Sequence, residues 1–374
     1  VIRAALVLLA LGLSAGAATA YPHFQFASGT DRCVDCHVTP SGGGLLTEWG
    51  HDELGDTLAM SGDGRALHGA PLPSWLALGA DLRMAALVED AGAEGARVAV
   101  FPMQVEAAAR VARGGVAAAV VIGLRAAARP AGARTGDAAG GFAGLAAISR
   151  EHVISYQPDD LRWYVRAGRL MPAFGLRLAD HTAFVRQRLG FGLYEEPYAV
   201  GAGWLDARTE VHAAAFVSDP WQWPRAREVG ATALVERRGG GRAVIASARV
   251  SASALAQRAV VGVAGKWWRE GAHLLLMGEL DGGWERFPEA DAGRGFAAAW
   301  LGPTWSPGHG LAVTAALEAW LPDTGALASH RVALAPSVQW LPWAHLEVAL
   351  TARLQQIGAD QTAAMTMLQL HYLP

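Results

Sequence analysis

The sequence predicts an all-β protein: a closed antiparallel β-barrel of the outer-membrane type with about 16 strands, 14 or 18 being the alternatives, preceded by a small N-terminal module. Three observations point there. Apolar and polar residues alternate with a period of two over most of the chain beyond Trp75. Many of the 14 tryptophans fall near the ends of these alternating segments, as the aromatic girdles of a barrel do at the lipid headgroups. The apolar run at the extreme N-terminus is too short to span a bilayer, and no other run reaches the roughly 20 residues that a spanning helix needs.

That N-terminal stretch reads as an export signal. Arg3 precedes the apolar run Ala4 to Leu13, and Ala18-Thr19-Ala20 supplies an A-x-A ending that predicts cleavage before Tyr21. Residues 1–20 are therefore expected to be a signal peptide, and the barrel is expected in the outer membrane of a Gram-negative bacterium, in contact with its lipid. No cysteine stands at the cleavage site to carry a lipid anchor. The formal net charge is −3 and there is no basic tract, which argues against a nucleic-acid partner.

The strand reading, assigned to residues 71–374, rests on segments that can be laid out face by face. Leu161, Trp163, Val165 and Ala167 alternate with Arg162, Tyr164 and Arg166; Val244, Ala246, Ala248 and Val250 alternate with Ser247, Arg249 and Ser251. Val313, Ala315, Leu317 and Ala319 interleave with Thr314 and Glu318, and Leu346, Val348, Leu350 and Ala352 with Glu347, Thr351 and Arg353. Alternation alone also suits a soluble sandwich. Its persistence, with Trp163, Trp204, Trp221, Trp223, Trp267, Trp268, Trp320, Trp340 and Trp343 near segment ends, selects the barrel. The last segment, Ala363 to Leu373, closes on Tyr372 as a terminal barrel strand would, although Pro374 stands where a terminal Phe or Trp is usual.

Residues 21–70 differ in character. They hold both cysteines of the chain in Cys33-Val34-Asp35-Cys36-His37, the CxxCH attachment motif of a c-type haem. One haem c is expected, with thioether bonds to Cys33 and Cys36 and His37 as proximal iron ligand. A CxxC can also be a redox disulfide or half of a zinc site; zinc normally asks for a second Cys or His pair, and a thioredoxin-like dithiol for a βαβ setting, and neither is present. Leu45, Leu46, Trp49 and Leu54 are expected to form one apolar helical face, and Ser61-Gly62-Asp63-Gly64 with Pro71-Leu72-Pro73 to form the linker. So short a module builds little core alone, so its packing must come from the haem and the barrel. Candidates for the sixth iron position are His51 and Met60, with His23, His68, a barrel residue or an open site as further options; Met60 would raise the potential relative to His.

With these residues in view, the chain resembles the fused monohaem cytochrome–porins of outer membranes. The order of parts carries the likeness: export signal, aromatic lead-in Tyr21-Pro22-His23-Phe24-Gln25-Phe26, a single CxxCH, then a barrel. Leu46-Thr47-Glu48-Trp49-Gly50-His51 is similar to a Leu-x-x-aromatic-Gly-Arg stretch of that family, with His51 in place of Arg. Separately, Gly168-Arg169-Leu170-Met171-Pro172-Ala173-Phe174-Gly175 is similar to a strand-and-turn of some porins. The resemblance implies electron transfer across the outer membrane through a monohaem plug, with a periplasmic cytochrome or other carrier on one side and an outside donor or acceptor such as ferrous iron on the other.

Two rival functions stay open at this point. One is a solute porin whose channel a tethered haem module occludes or regulates; the other is a haem enzyme with an open sixth position, for which no paired acid and base groups stand out. His152, His181 and His212 show no metal-binding spacing and read as scattered polar residues. The cationic loop Arg177 to Arg188 reads as a constriction or plug-contacting loop, or as a structural ion network. Arg162, Arg166, Arg249, Glu279, Glu318, Glu347 and Arg353 are expected to face a lumen.

Overall fold

The computed structural model describes residues 24–26, 29–30, 32–40, 45–90, 95–126, 145–192, 194–220 and 224–374. The export segment, His23, Trp221 and Trp223 lie outside them. Among the described residues, sixteen strands close into one antiparallel barrel in which each strand pairs with its sequence neighbours and the first pairs with the last. They are β1 (Leu76–Asp90), β2 (Ala96–Arg113), β3 (Val116–Ala126), β4 (Leu145–Tyr156), β5 (Trp163–Arg169), β6 (Tyr198–Leu205), β7 (Thr209–Val217) and β8 (Val229–Gly239). The second half comprises β9 (Arg242–Ala252), β10 (Gln257–Arg269), β11 (Leu274–Phe287), β12 (Ala292–Gly308), β13 (Leu311–Leu321), β14 (Arg331–Trp343), β15 (Leu346–Ile357) and β16 (Gln361–Tyr372). Closure runs from Leu82↔Tyr372 to Asp90↔Ala364, so no sheet edge is left to pair with another chain.

The period-two pattern sets which way each side chain faces. On β5, Trp163, Val165 and Ala167 are exposed while Tyr164, Arg166 and Arg169 are buried; on β9, Val244, Ala246 and Val250 face out while Ser247, Arg249 and Ser251 are buried. The exposed face carries Val98, Val100, Val200, Val261, Leu280 and Leu317, the apolar surface that a bilayer-spanning barrel presents to lipid. Among the described residues no helix is long and apolar enough to cross a membrane. Two expectations fail here. Strand β5 starts at Trp163, which leaves Arg162 exposed in the preceding turn rather than in the lumen. Trp268 and Trp320 belong to no lipid girdle: their strand parity turns them inward, where they pack against the luminal core. Trp163, Trp204, Trp267, Trp340 and Trp343 are exposed on the barrel wall as expected.

The two ends differ. At one, strands connect by short turns such as 114–115, 240–241, 309–310 and 344–345; Gly240 and Gly241 both have positive φ, 60° and 71°, as a tight hairpin turn of primed type requires. At the other end the connections include 170–197, 218–228 and 322–330. Segment 170–197, between β5 and β6, folds into the barrel and contains the short helix α3 (Phe184–Gln187); among the described residues two short helices precede it, α1 (Cys33–Cys36) and α2 (Glu48–Glu53), both in the N-terminal module.

The lumen is less polar than expected. Leu176, Leu178, Ala183 and Val185 of the inward segment bury against Leu234, Ile245, Leu275, Met277 and Trp300 on the inner faces of β8, β9, β11 and β12. Each large side chain so buried contributes about 1.5–3 kcal/mol. Wall carboxylates take up the segment's amides: Leu176 N–H donates to Glu279 at 2.8 Å and Phe184 N–H to Glu318 at 2.7 Å. Gly175 (φ 57°) is needed at this approach, because a Cβ there would collide with the Glu279 carboxylate. The loop read as cationic is thus held chiefly by its apolar residues.

Candidate functional site

The N-terminal module enters the same lumen from the short-turn end. Helix α1 (Cys33–Cys36) is a single turn closed by His37 N–H donating to Cys33 C=O at 2.9 Å. A hydrogen-bonded bridge then pairs His37 with Leu46. Thr47 caps helix α2 (Glu48–Glu53), its hydroxyl accepting from Gly50 N–H at 3.0 Å, and the chain continues in a π-helical turn, Leu54–Leu58. Gly50 lies against the Cys36 backbone so closely that a Cβ would not fit.

The expected apolar face is only partly realised. Leu54 and Ala59 bury against Leu341 and Ala344 of the barrel, with Leu46 and Leu311 packed alongside, and Leu58 against Phe24 and Ala312. Trp49 is half exposed: five positions before Leu54, it lies some 140° round the helix from it. As expected for so short a module, its core is shared with the barrel wall.

Cys33, Cys36 and His37 are all buried, and a dense polar cluster stands beside them. Gln25 Nε2 donates to Cys33 Sγ at 3.2 Å while its Oε1 accepts from Lys266 Nζ at 2.9 Å. Lys266, the only lysine of the chain, also pairs with Glu236 at 2.9 Å. Arg177 of the inward segment pairs with Glu236 and, at 3.4 Å, with Glu210, and donates to the Pro40 carbonyl at 2.9 Å. Arg238 joins Glu210 at 2.9 Å, and Tyr164 Oη meets His212 Nδ1 at 2.7 Å while His212 Nε2 meets Glu210 at 3.1 Å. Plug, inward segment and wall are locked through one buried network, so Arg177 fulfils both readings of its loop and His212 is more than scattered polarity. Thr39 adds a contact to Glu151 on β4 at 3.4 Å.

Glu210, Glu236 and Lys266 were not singled out from the sequence. The available signal was a lone lysine among arginines, on the same inward parity as the polar faces already recognised.

The structure separates the candidates for an iron ligand. His51 Nδ1 lies 2.8 Å from the Gly64 carbonyl; a carbonyl only accepts, so Nδ1 carries the proton and Nε2 keeps its lone pair, the arrangement that second-shell partners impose on a metal-binding histidine. Burial pushes its pKa down, which also keeps it neutral. His51 borders a cavity with Leu45 and Leu46. Met60 is exposed at the short-turn rim, with its N–H donating to Leu341 C=O at 3.2 Å. His68 is on that rim too, stacked on Trp343 with centroids 5.3 Å apart and 2.6 Å from the Tyr372 hydroxyl.

Two cysteines and an adjacent histidine are the residue types that attachment of a c-type haem asks for. No disulfide joins the two cysteines, and burial pushes the Cys33 thiol up, the reverse of the lowered thiol that dithiol exchange uses. The described residues contain no group of three or more His, Cys, Asp or Glu that would hold a bare metal ion. Space is the constraint: the cavity beside His51 measures about 30 Å³, whereas a ligand of that size class needs roughly 300 Å³ or more. Cys33, Cys36 and His37 do not line that cavity, whose β1–β2 wall carries the small residues Gly79 and Ala108.

Comparison with known proteins bears on the barrel. Among solved structures, OmpT of Vibrio cholerae superposes with a TM-score of 0.60 at 10% identity, over 80% of this chain and 97% of that one. The fold is that of the sixteen-stranded porins. An anion-selective porin from Comamonas acidovorans matches with a TM-score of 0.58 at 10% identity, covering 80% and 99% of the two chains. OprB of Pseudomonas putida matches at 0.57 and 9% identity, covering 80% and 94%. No protein-family model and no curated protein matches the sequence.

Proposed function

We propose that this chain is an outer-membrane porin-like barrel whose channel is occluded by its own N-terminal segment, and that this segment carries one haem c on Cys33 and Cys36 with His37 as proximal ligand and His51 as the sixth. The observation that supports it is the position of the CxxCH turn: buried inside a closed barrel and tied by Gln25 and Pro40 to Lys266 and Arg177. Export by residues 1–20 belongs to the same proposal. In a barrel of this type the short turns face the periplasm and the long connections the outside, which puts the plug at the periplasmic half.

A bound haem would supply one-electron chemistry. The protein's part is to hold it out of water and to present it between a periplasmic cytochrome or similar carrier and the outer half of the lumen. Electron transfer from an outside donor such as ferrous iron is the second reading, favoured by the motif lying within the wall rather than outside it.

The test is expression with c-type haem maturation, followed by spectra and reconstitution into liposomes. A covalent low-spin haem that Cys33→Ala/Cys36→Ala abolishes, with little sugar permeation until the plug is removed, is the expected result. A chain that acquires no haem, or that passes sugars freely with its plug in place, would defeat the proposal. Reduction of an enclosed dye by outside reductant would then separate electron transfer from simple occlusion.

A further inference from the structure

Among the described residues, the opposite half of the lumen, at the long-connection end, encloses open space. A cavity of 620 Å³ lies there, within the range of built small-molecule sites. Its floor is the inward segment, through Pro172, Gln187 and Phe191, so it ends blind above the plug. Its wall carries five guanidiniums, Arg188, Arg249, Arg258, Arg294 and Arg331, against two lining carboxylates, Glu195 and Glu228.

Accounting for pairs makes the imbalance sharper. Arg249 pairs with Glu228 at 2.6 Å; Arg258 and Arg294 share Glu285 at 2.7 and 2.9 Å. Glu195 is taken by the Gly192 amide at 2.7 Å. Arg188 and Arg331 have no acidic partner among the described residues, and Arg188 Nε is buried without an acceptor. Burial, with Arg331 and Arg353 nearby, pushes the Arg188 pKa down. All three paired arginines lie over aromatic faces, Arg249 over Phe191 and Phe216 at 5.0 and 5.1 Å, Arg258 over Phe296 at 5.5 Å and Arg294 over Phe287 at 5.0 Å. They are preorganised by these contacts.

From this we infer that the outer vestibule is a binding site for a small multivalent carboxylate anion, held by Arg188 and Arg331 with Arg294 completing the ring. Guanidiniums suit carboxylates because their paired N–H groups match two oxygens at once. Low-dielectric walls focus the positive potential inside the cavity. The residues lie on the inner wall, so the lipid headgroups outside cannot fill the site. The inference rests on the barrel alone and stands whether or not the plug carries haem. If the chain does accept electrons from iron, the same field disfavours the hydrated ferrous cation and favours iron arriving as an anionic carboxylate chelate.

The test is calorimetric titration of the full-length protein in detergent with citrate, acetate and spermidine at low and physiological ionic strength. Saturable citrate binding is expected, weakened by salt, with acetate much weaker and spermidine silent. Arg188→Gln and Arg331→Gln are each expected to weaken citrate roughly tenfold or more, the worth of a charge-assisted hydrogen bond. Arg286→Gln, at an exposed arginine paired with Asp291 outside the cavity, should change nothing. If either variant does not fold by its unboiled gel mobility, Arg331→Lys keeps the charge and should still weaken citrate. Absence of saturable citrate binding, or binding unaffected by the folded Arg188 or Arg331 variants, overturns the inference.

Discussion

The two halves of the lumen are built from the same sixteen strands, with the same inward parity, yet they end in opposite states. In the short-turn half, Arg177, Lys266 and Arg238 are matched by Glu210 and Glu236, with polar groups of the plug taking further bonds. In the long-connection half, Arg188 and Arg331 go unmatched among the described residues, around a cavity of 620 Å³. What distinguishes the halves is the chain that fills one of them. A charged lumen wall becomes structure where a second segment supplies counter-groups and becomes a site where none does.

Removing residues 24–58 should break the comparison most completely. The part of the lumen that the plug occupies would open, and liposome swelling by small sugars should rise from background to porin-like rates. Unchanged swelling would show that segment 170–197 alone closes the channel.

Reactivity of the one lysine is the next largest effect. Lys266 is buried beneath the plug, so acylation at its ε-amine should be roughly 100-fold or more slower in the intact barrel than in the truncated one, if local opening costs about 3 kcal/mol. Peptide mass spectrometry after timed labelling reads this directly.

Glu236→Ala should cost about 3–5 kcal/mol, since it strips Lys266 of its carboxylate and Arg177 of one of two. The same change at Glu195, in the vestibule, should cost far less. Urea midpoints followed by tryptophan emission compare the two.

A pH effect follows from Glu196, in the inward segment near the neck between the halves. Burial raises its pKa from 4.5 to about 7, against the pull of Arg150, and its Oε2 has no hydrogen-bond partner. A carboxyl raised in the fold binds its proton more tightly there than in the unfolded chain. Its contribution is therefore fully present below about pH 4.5 and is lost as pH rises through about 7. Glu196→Gln should flatten that fall in the urea midpoint between those limits.

The smallest effect is expected at the rim. Met60→Ser removes an exposed side chain and should shift stability by no more than about 0.5 kcal/mol. It should leave the visible spectrum of a haem-loaded protein unchanged, whereas His51→Ala should alter it. A spectrum sensitive to Met60 and indifferent to His51 would reverse the assignment of the sixth ligand.

The barrel was legible in the sequence because its information is local. A period of two on β5 or β9 states by itself which side chains face lipid, and closure follows once enough strands alternate. CxxCH is likewise a local pattern, to which the structure adds that the turn is buried within the barrel. Trp268 and Trp320 resemble girdle residues by position along the chain, and only strand parity within the closed barrel turns them inward. Arg177 and Lys266 lie 89 positions apart. Their pairing through Glu236, and the contact of both with a segment from the N-terminus, depends on how the inward loop and plug share the lumen. Alternation determined that a polar interior would exist; which of its charges are satisfied and which are left for a ligand was decided by long-range packing, because a buried charge is defined by the partners the fold brings to it.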